Sequence, residues 1–361
     1  MSRKLIFSSA AAVLMGGTAI ADVPTVAVDI APVHSLVARV MEGIGTPQLI
    51  VQPGASPHEY SLRPSEAAAL QDADLVVWMG EDLTPWMEEA VETLAADASV
   101  ITLLEADGTV LLDFREGALF EAHAHGEDEH HGDEKDHAHD DHAEDHAHDH
   151  GETEEHAHEE HEEAHDHDDH GADTHAEEAH AGHDHDGHDH GARDPHAWLS
   201  PENAATWLNL IAAQLSGADP DNAGTYFANA AAAREELAGL AEDIDAQLAA
   251  VRGGNFIAFH DAYQYFETAF DLPASGAISL SDASDPSPAR VAEIQARVKD
   301  ESIACVLSEP QFNAGLVTTV MDGTAAKTAV LDPLGSDIAP GAELYPQLLR
   351  NLAAALVDCL S

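Results

Sequence analysis

Cysteine is nearly absent from this sequence. Cys305 and Cys359 are the only two, and neither belongs to a C-x-x-C pair. That removes the usual basis for redox catalysis and for a thiolate zinc site. In an oxidising compartment two cysteines permit one intramolecular bridge; two buried free thiols are the alternative. Positive charge is also scarce, with 14 Lys and Arg against 68 Asp and Glu and a formal net charge of −54. Such a chain repels a phosphate backbone, which excludes nucleic-acid binding and disfavours anionic membrane surfaces. No H-E-x-x-H and no G-x-S-x-G occurs, which weighs against metalloprotease and serine-hydrolase chemistry.

Long apolar runs are missing after the N-terminus. There, Met1-Ser2-Arg3-Lys4 precedes an apolar run from Leu5 to Met15, and Ala19-Ile20-Ala21 follows. A basic start, a short apolar core and an A-x-A site predict a cleavable signal peptide over residues 1–21. The run is far shorter than the roughly 20 residues of a spanning helix. No cysteine stands beside the cleavage site, so the expectation is a soluble chain, not lipid-anchored, retained in a Gram-negative periplasm.

Histidine is what the chain has in excess. Of 26 histidines, 22 lie between Ala122 and Gly191, with 27 acidic residues and one Lys135. This segment lacks the apolar residues needed to offset the entropy of ordering, so the composition predicts a disordered loop. It interrupts a globular sequence on both sides, which loop-closure entropy tolerates.

The flanking sequence alternates strand and helix signals. Strands are predicted at Thr25–Ile30, Leu49–Gln52, Asp74–Met79 and Ser99–Leu103, then at Asn255–Phe259, Ala304–Leu307 and Thr328–Leu331. Helices are predicted at Ser35–Met41, at Glu66–Leu70 capped by Ser65, from Pro201 to about Leu215, up to Phe270 with Asp261 as its cap, and from about Tyr345 to Cys359. Tyr226 to Val251 reads as one long helix ending at Gly253-Gly254. Repeated βα units imply an α/β fold of two lobes with mainly parallel sheets. The expected division is an N-terminal lobe over 22–221, a linker helix over 222–252 and a C-terminal lobe over 253–361.

Only His34, His58, His196 and His260 lie outside the histidine-rich segment. His58 and His260 follow predicted strands, His34 precedes a helix, and Asp332 follows the strand Thr328–Leu331. Open parallel sheets bind ligands beyond the carboxyl ends of their strands, so His58, His260 and Asp332 can meet in one cleft. His196, in Asp194-Pro195-His196-Ala197-Trp198, can complete it. Three imidazoles with an oxygen ligand suit tetrahedral zinc, and an added carboxylate also suits manganese or iron. Glu309 reads as a cleft-wall residue and His34 as a helix-start residue near the cleft. A secreted zinc hydrolase and a plain metal buffer or adhesin are the competing readings; the first lacks an evident general base.

Several ordered motifs carry a resemblance. Gln52-Pro53-Gly54-Ala55-Ser56-Pro57-His58-Glu59-Tyr60-Ser61-Leu62-Arg63-Pro64-Ser65, Asp194-Pro195-His196-Ala197-Trp198-Leu199-Ser200-Pro201 and Phe259-His260-Asp261-Ala262-Tyr263 come first. Ser308-Glu309-Pro310-Gln311-Phe312 and Leu331-Asp332-Pro333-Leu334-Gly335 follow. Together they resemble the metal-binding cluster of ABC-transporter solute-binding proteins, and within it the zinc-uptake members. The resemblance implies two α/β lobes joined by a rigid helix, with Zn2+ in the cleft as transported substrate, and no enzyme activity. It places His58 and His196 on the first lobe and His260 on the second. Asp332 stands where manganese-binding relatives supply a carboxylate, so the fourth ligand is Asp332 or a water. It also implies a Cys305–Cys359 disulfide. The implied partners are a membrane permease with its cytoplasmic ATPase, and a periplasmic zinc chaperone.

Overall fold

The computed structural model describes residues 23–115, 120, 193–279 and 286–361. The expected signal peptide and the histidine-rich insertion lie outside the described residues. The first half is built from β1 (Val26–Val28), α1 (Ala31–Val40), β2 (Gln48–Leu49), α2 (Pro64–Gln71), β3 (Leu75–Trp78), α3 (Pro85–Leu94) and β4 (Ser99–Thr102). Every residue of β1 and β3 is buried, as the short Val-rich runs require of strands covered on both faces. The strands pair in parallel in the order β2-β1-β3-β4.

After the insertion come α4 (Pro201–Ala218) and α5 (Ala223–Leu248). Ser200 caps α4, its Oγ accepting the Asn203 N–H at 3.2 Å, with Pro201 at the first helical position. Along α5 the buried residues are Tyr226, Ala230, Ala233, Leu237, Leu240, Ile244 and Leu248. Steps of three and four put them on one face, and each large one stabilises by about 1.5–3 kcal/mol on burial.

The second half repeats the plan with β5 (Phe256–His260), α6 (Gln264–Phe270), β6 (Ala277–Ser279), α7 (Pro288–Asp300), β7 (Cys305–Ser308), α8 (Ala314–Met321), β8 (Lys327–Val330) and α9 (Leu344–Leu360). Its parallel order is β6-β5-β7-β8. Cys305 of β7 and Cys359 of α9 form the disulfide. The two sheets share one apolar cluster that runs from Val26 and Val77 through Trp198, Trp207 and Leu237 to Tyr263, Leu307 and Leu349. Buried hydrogen bonds tie it further. Ser35 Oγ donates to the Ala342 carbonyl at 3.0 Å and accepts the Tyr345 N–H at 2.9 Å, and Trp198 Nε1 donates to the Pro333 carbonyl at 2.8 Å. Among the described residues no helix is long and apolar enough to cross a membrane.

Three local expectations change. Ser65 does not cap α2: Arg63 occupies the N-cap, Pro64 opens the helix, and Glu66 accepts the Arg63 N–H at 2.8 Å. Proline's fixed φ suits the first helical turn, which moves the start one residue ahead of Ser65. Asp261 does not cap α6, whose N-cap is Tyr263, because Arg115 takes the Asp261 carboxylate. His260 is the last residue of β5 instead of the residue after it.

Candidate metal centre

The three strand- and loop-borne histidines meet. His58 Nε2 lies 3.4 Å from His196 Nε2, and His260 Nε2 lies 3.4 Å from the same atom. His196 and His260 are buried and His58 is half-buried. The pocket they border, with Trp198, Phe312 and Leu334 in its wall, has a volume of about 10 Å³.

Each ring is held from behind. His260 ends β5, and its Nδ1 lies 2.8 Å from Glu309 Oε1, on the residue after β7. The same oxygen accepts the His260 backbone N–H at 3.2 Å. His196 Nδ1 lies 2.7 Å from Asp194 Oδ1, which also accepts the His196 backbone N–H at 3.0 Å. His58 sits in the turn after β2; Trp86 Nε1 on α3 donates to the Pro57 carbonyl at 2.7 Å and pins that turn. An ionised carboxylate can only accept, so while Asp194 and Glu309 are ionised they draw the ring protons of His196 and His260 to Nδ1 and leave the Nε2 atoms as the acceptors.

Two ring nitrogens at that distance can share a proton or a cation. Imidazole nitrogens about 2.0–2.1 Å from a tetrahedral zinc stand about 3.3–3.4 Å apart, which matches both pairs. Among the described residues no group of three or more His, Cys, Asp or Glu side chains stands in an arrangement that could hold a metal ion. The metal reading therefore rests on the two nitrogen pairs and on the carboxylates behind them. Burial pushes the Asp194 carboxyl up to about 7, against the His196 N–H, Arg115 and His260, which pull it down.

Asp332 and His34 stand apart from this group. Both oxygens of Asp332 are engaged in its own loop. Oδ1 accepts the Leu334 N–H at 3.0 Å and Gln311 Nε2 at 3.1 Å, and Oδ2 accepts the Ser336 N–H at 2.5 Å. Gly335 permits this tight turn at φ +70°, where a Cβ would stand 3.2 Å from Ile338 and Leu348. His34 is buried in α1, its Nε2 3.1 Å from the Pro47 carbonyl, and burial lowers its pKa. Neither residue borders the pocket.

One group that sequence reasoning missed lies close to Asp194 and Asp261. Arg115, on the strand-like stem ahead of the insertion, reaches across to the second lobe. Its Nε lies 3.0 and 3.1 Å from the Asp261 oxygens, and its Nη1 and Nη2 lie 2.7 and 3.0 Å from Glu267. Tyr265 Oη accepts the Leu112 N–H at 3.0 Å and donates to the Asp194 carbonyl at 2.9 Å. Asp113 and Arg193 close the stem as an antiparallel bridge. Arg115 is one of only 14 Lys and Arg in a very acidic chain, and that scarcity was the available signal.

With this geometry in view, the likeness to known proteins is specific. A family model described as zinc-uptake complex component A, periplasmic (ZnuA), matches residues 26–359. The "High-affinity zinc uptake system protein ZnuA" of Brucella suis biovar 1 (strain 1330) is 44% identical over 336 residues, covering 93% of this chain and 91% of its own length. The protein of the same name from Paracoccus denitrificans (strain Pd 1222) is 43% identical over 341 residues, covering 94% and 93%. A solved structure titled "Crystal structure of ZnuA" superposes with a TM-score of 0.66 at 20% identity, over 94% of this chain and 100% of that one. A ZnuA deletion mutant with zinc bound gives a TM-score of 0.65, also at 20% identity, over 94% and 99%. At that identity the structures speak for the fold alone. The family match spans nearly the whole chain, and on that ground the chain belongs to the periplasmic zinc-uptake component A (ZnuA) family.

Proposed function

We propose that this protein captures Zn2+ in the periplasm with His58, His196 and His260 and hands it to the membrane permease of an ABC importer driven by a cytoplasmic ATPase. The observation that carries the reading is the pair of 3.4 Å Nε2 contacts, with a carboxylate on the Nδ1 of His196 and of His260. The relatives named for high-affinity zinc uptake supply the metal and the transport role. Hydrolysis is the weaker reading, because Asp194 and Glu309, the carboxylates nearest the rings, are engaged in orienting them instead of facing a metal-bound water. The histidine-rich insertion, with its 22 histidines and 27 acidic residues, gathers zinc at several weaker sites. A periplasmic zinc chaperone is a further partner of this reading.

The test is calorimetric titration of zinc into His58→Ala, His196→Ala and His260→Ala, each in a chain lacking 122–191. Losing a ligand removes more than losing the group behind one, so each should weaken binding by more than about 100-fold with the fold retained. Any variant that still binds as tightly as the parent removes that histidine from the set. A deletion that itself abolishes the tight site shows that the insertion supplies an essential ligand.

A further inference from the structure

A cavity of about 350 Å³ lies where α1, α5 and α9 come together, and it shares no lining residue with the histidine pocket. Its floor is apolar: Leu36, Leu208, Leu237 and Leu240 all line it and are buried. Its wall is pinned by Ser35, whose Oγ donates to the Ala342 carbonyl at 3.0 Å and accepts the Tyr345 N–H at 2.9 Å. Gly239 stands at the edge, in the interior of α5, where glycine is less stable than alanine. A Cβ at Gly239 would meet nothing within 4 Å, so no packed neighbour demands the glycine. What the missing side chain does at this place is leave the mouth of the cavity open.

The charges around the cavity fall into two groups. Arg39 is spent within the protein: its Nη1 donates to Glu42 at 2.6 Å and its Nη2 to the Glu236 oxygens at 2.5 and 2.6 Å. Arg350, Asp243 and Glu343 are exposed, and no ion pair among the described residues involves them. The cavity thus offers one cation and two carboxylates over an aliphatic floor. An anion would answer Arg350 alone and meet two like charges, and an organic cation would leave Arg350 without a partner. A zwitterion with aliphatic side chains answers all three. Glu343, the N-cap of α9, and Arg350 are seven residues apart on that helix, about 10 Å along its axis at about 1.5 Å per residue. A free amino acid holds its two charges too close together to reach both, whereas an extended peptide advances about 3.3–3.6 Å per residue. The volume of about 350 Å³ also sits at the small end of ligand sites, which run from about 300 to 1,000 Å³. We propose that this cavity binds a short aliphatic peptide of two or three residues. Its carboxylate lies on Arg350, its ammonium group on Glu343 and Asp243, and its side chains on the leucine floor.

The test is calorimetric titration of the protein with Leu-Leu and with Leu-Leu-Leu, beside the N-acetylated C-terminal amide of Leu-Leu-Leu, which carries no charge. At least one free peptide should bind with a Kd below about 1 mM, and the blocked peptide about tenfold more weakly or worse. Gly239→Leu, which fills the mouth, and Arg350→Gln, which removes the carboxylate's partner, should each weaken the free peptide by about tenfold or more with the helical content unchanged. Binding of neither free peptide overturns the proposal. A blocked peptide that binds as tightly as the free one shows that the rim charges play no part, and overturns it too. Undiminished binding in a folded Gly239→Leu places the peptide elsewhere on the protein, with the same consequence. Should Gly239→Leu fail to fold, the exposed changes carry the test: parental affinity in both Arg350→Gln and the double variant Asp243→Asn, Glu343→Gln overturns the proposal.

Discussion

The two sheets share one strand order, so each has a switch point where the crossovers part: between β1 and β3 in the first, and between β5 and β7 in the second. Ligands of open parallel sheets collect at such crevices. In the second lobe the residues there are His260 and Glu309, joined at 2.8 Å and facing the pocket. In the first lobe the corresponding residue after β1 is Asp29. It is fully buried and accepts the Ile30 N–H at 2.7 Å and the Met79 N–H at 2.6 Å, one from each side of the crevice. Burial pushes its carboxyl up to about 7, against those backbone donors, which lower it. One crevice thus opens onto the histidine pocket and the other is stitched shut by a side chain. The first lobe brings its histidines to the pocket from elsewhere: His58 from the turn after β2, and His196 from the return of the insertion. Equal topology does not give equal use; the residue at the crevice decides.

The largest expected effect comes from undoing the stitch. Asp29→Ala orphans two buried N–H groups at about 1–3 kcal/mol each, so the metal-free protein should lose about 2–5 kcal/mol in urea unfolding. Its zinc affinity should be unchanged, and a loss matching that of the histidine variants would show that the first crevice also serves the metal. Next comes Glu309→Gln, which removes the charged partner of His260 Nδ1 and should weaken zinc about 10–100-fold with little change in stability. A fall in stability as large as that of Asp29→Ala would erase the contrast between the crevices.

The smallest effect is that of pH. Each imidazole must be free of its Nε2 proton to bind, so zinc affinity falls as pH drops toward and below about 6.5. Asp194, raised by burial to about 7, takes up a proton over the same range on the way down. The protonated carboxyl then donates to His196 Nδ1 and forces the tautomer that cannot ligate. Lowering pH from about 7.5 to about 6.5 should therefore cost several-fold in affinity. Asp194→Asn should bind more weakly and respond less over that interval. An equal slope in both proteins would remove Asp194 from the proton linkage.

The sequence by itself determined much of this protein. Apolar runs and turn residues located seven of the eight strands among the described residues, six of them within a residue or two and β2 with its end three residues too far on; the missing one, β6, is a three-residue Ala-Ile-Ser segment too short for a periodic signal. The long α5 face and the order of the motifs were legible because helix period and local spacing depend on near neighbours along the chain. The three histidines stood out by elimination, once the 22 in the low-complexity segment were set aside. What only the tertiary structure decided is which distant groups touch. Glu309 backs His260 from 49 residues away. Arg115 crosses 146 residues to Asp261. Asp332 turns its oxygens to Gln311 and its own loop instead of to the pocket. A carboxylate after a strand reads the same in sequence whether it faces a metal, a backbone N–H or an arginine. Which of these it meets is set by sheet order and loop packing, and so by contacts between segments that composition and periodicity do not encode.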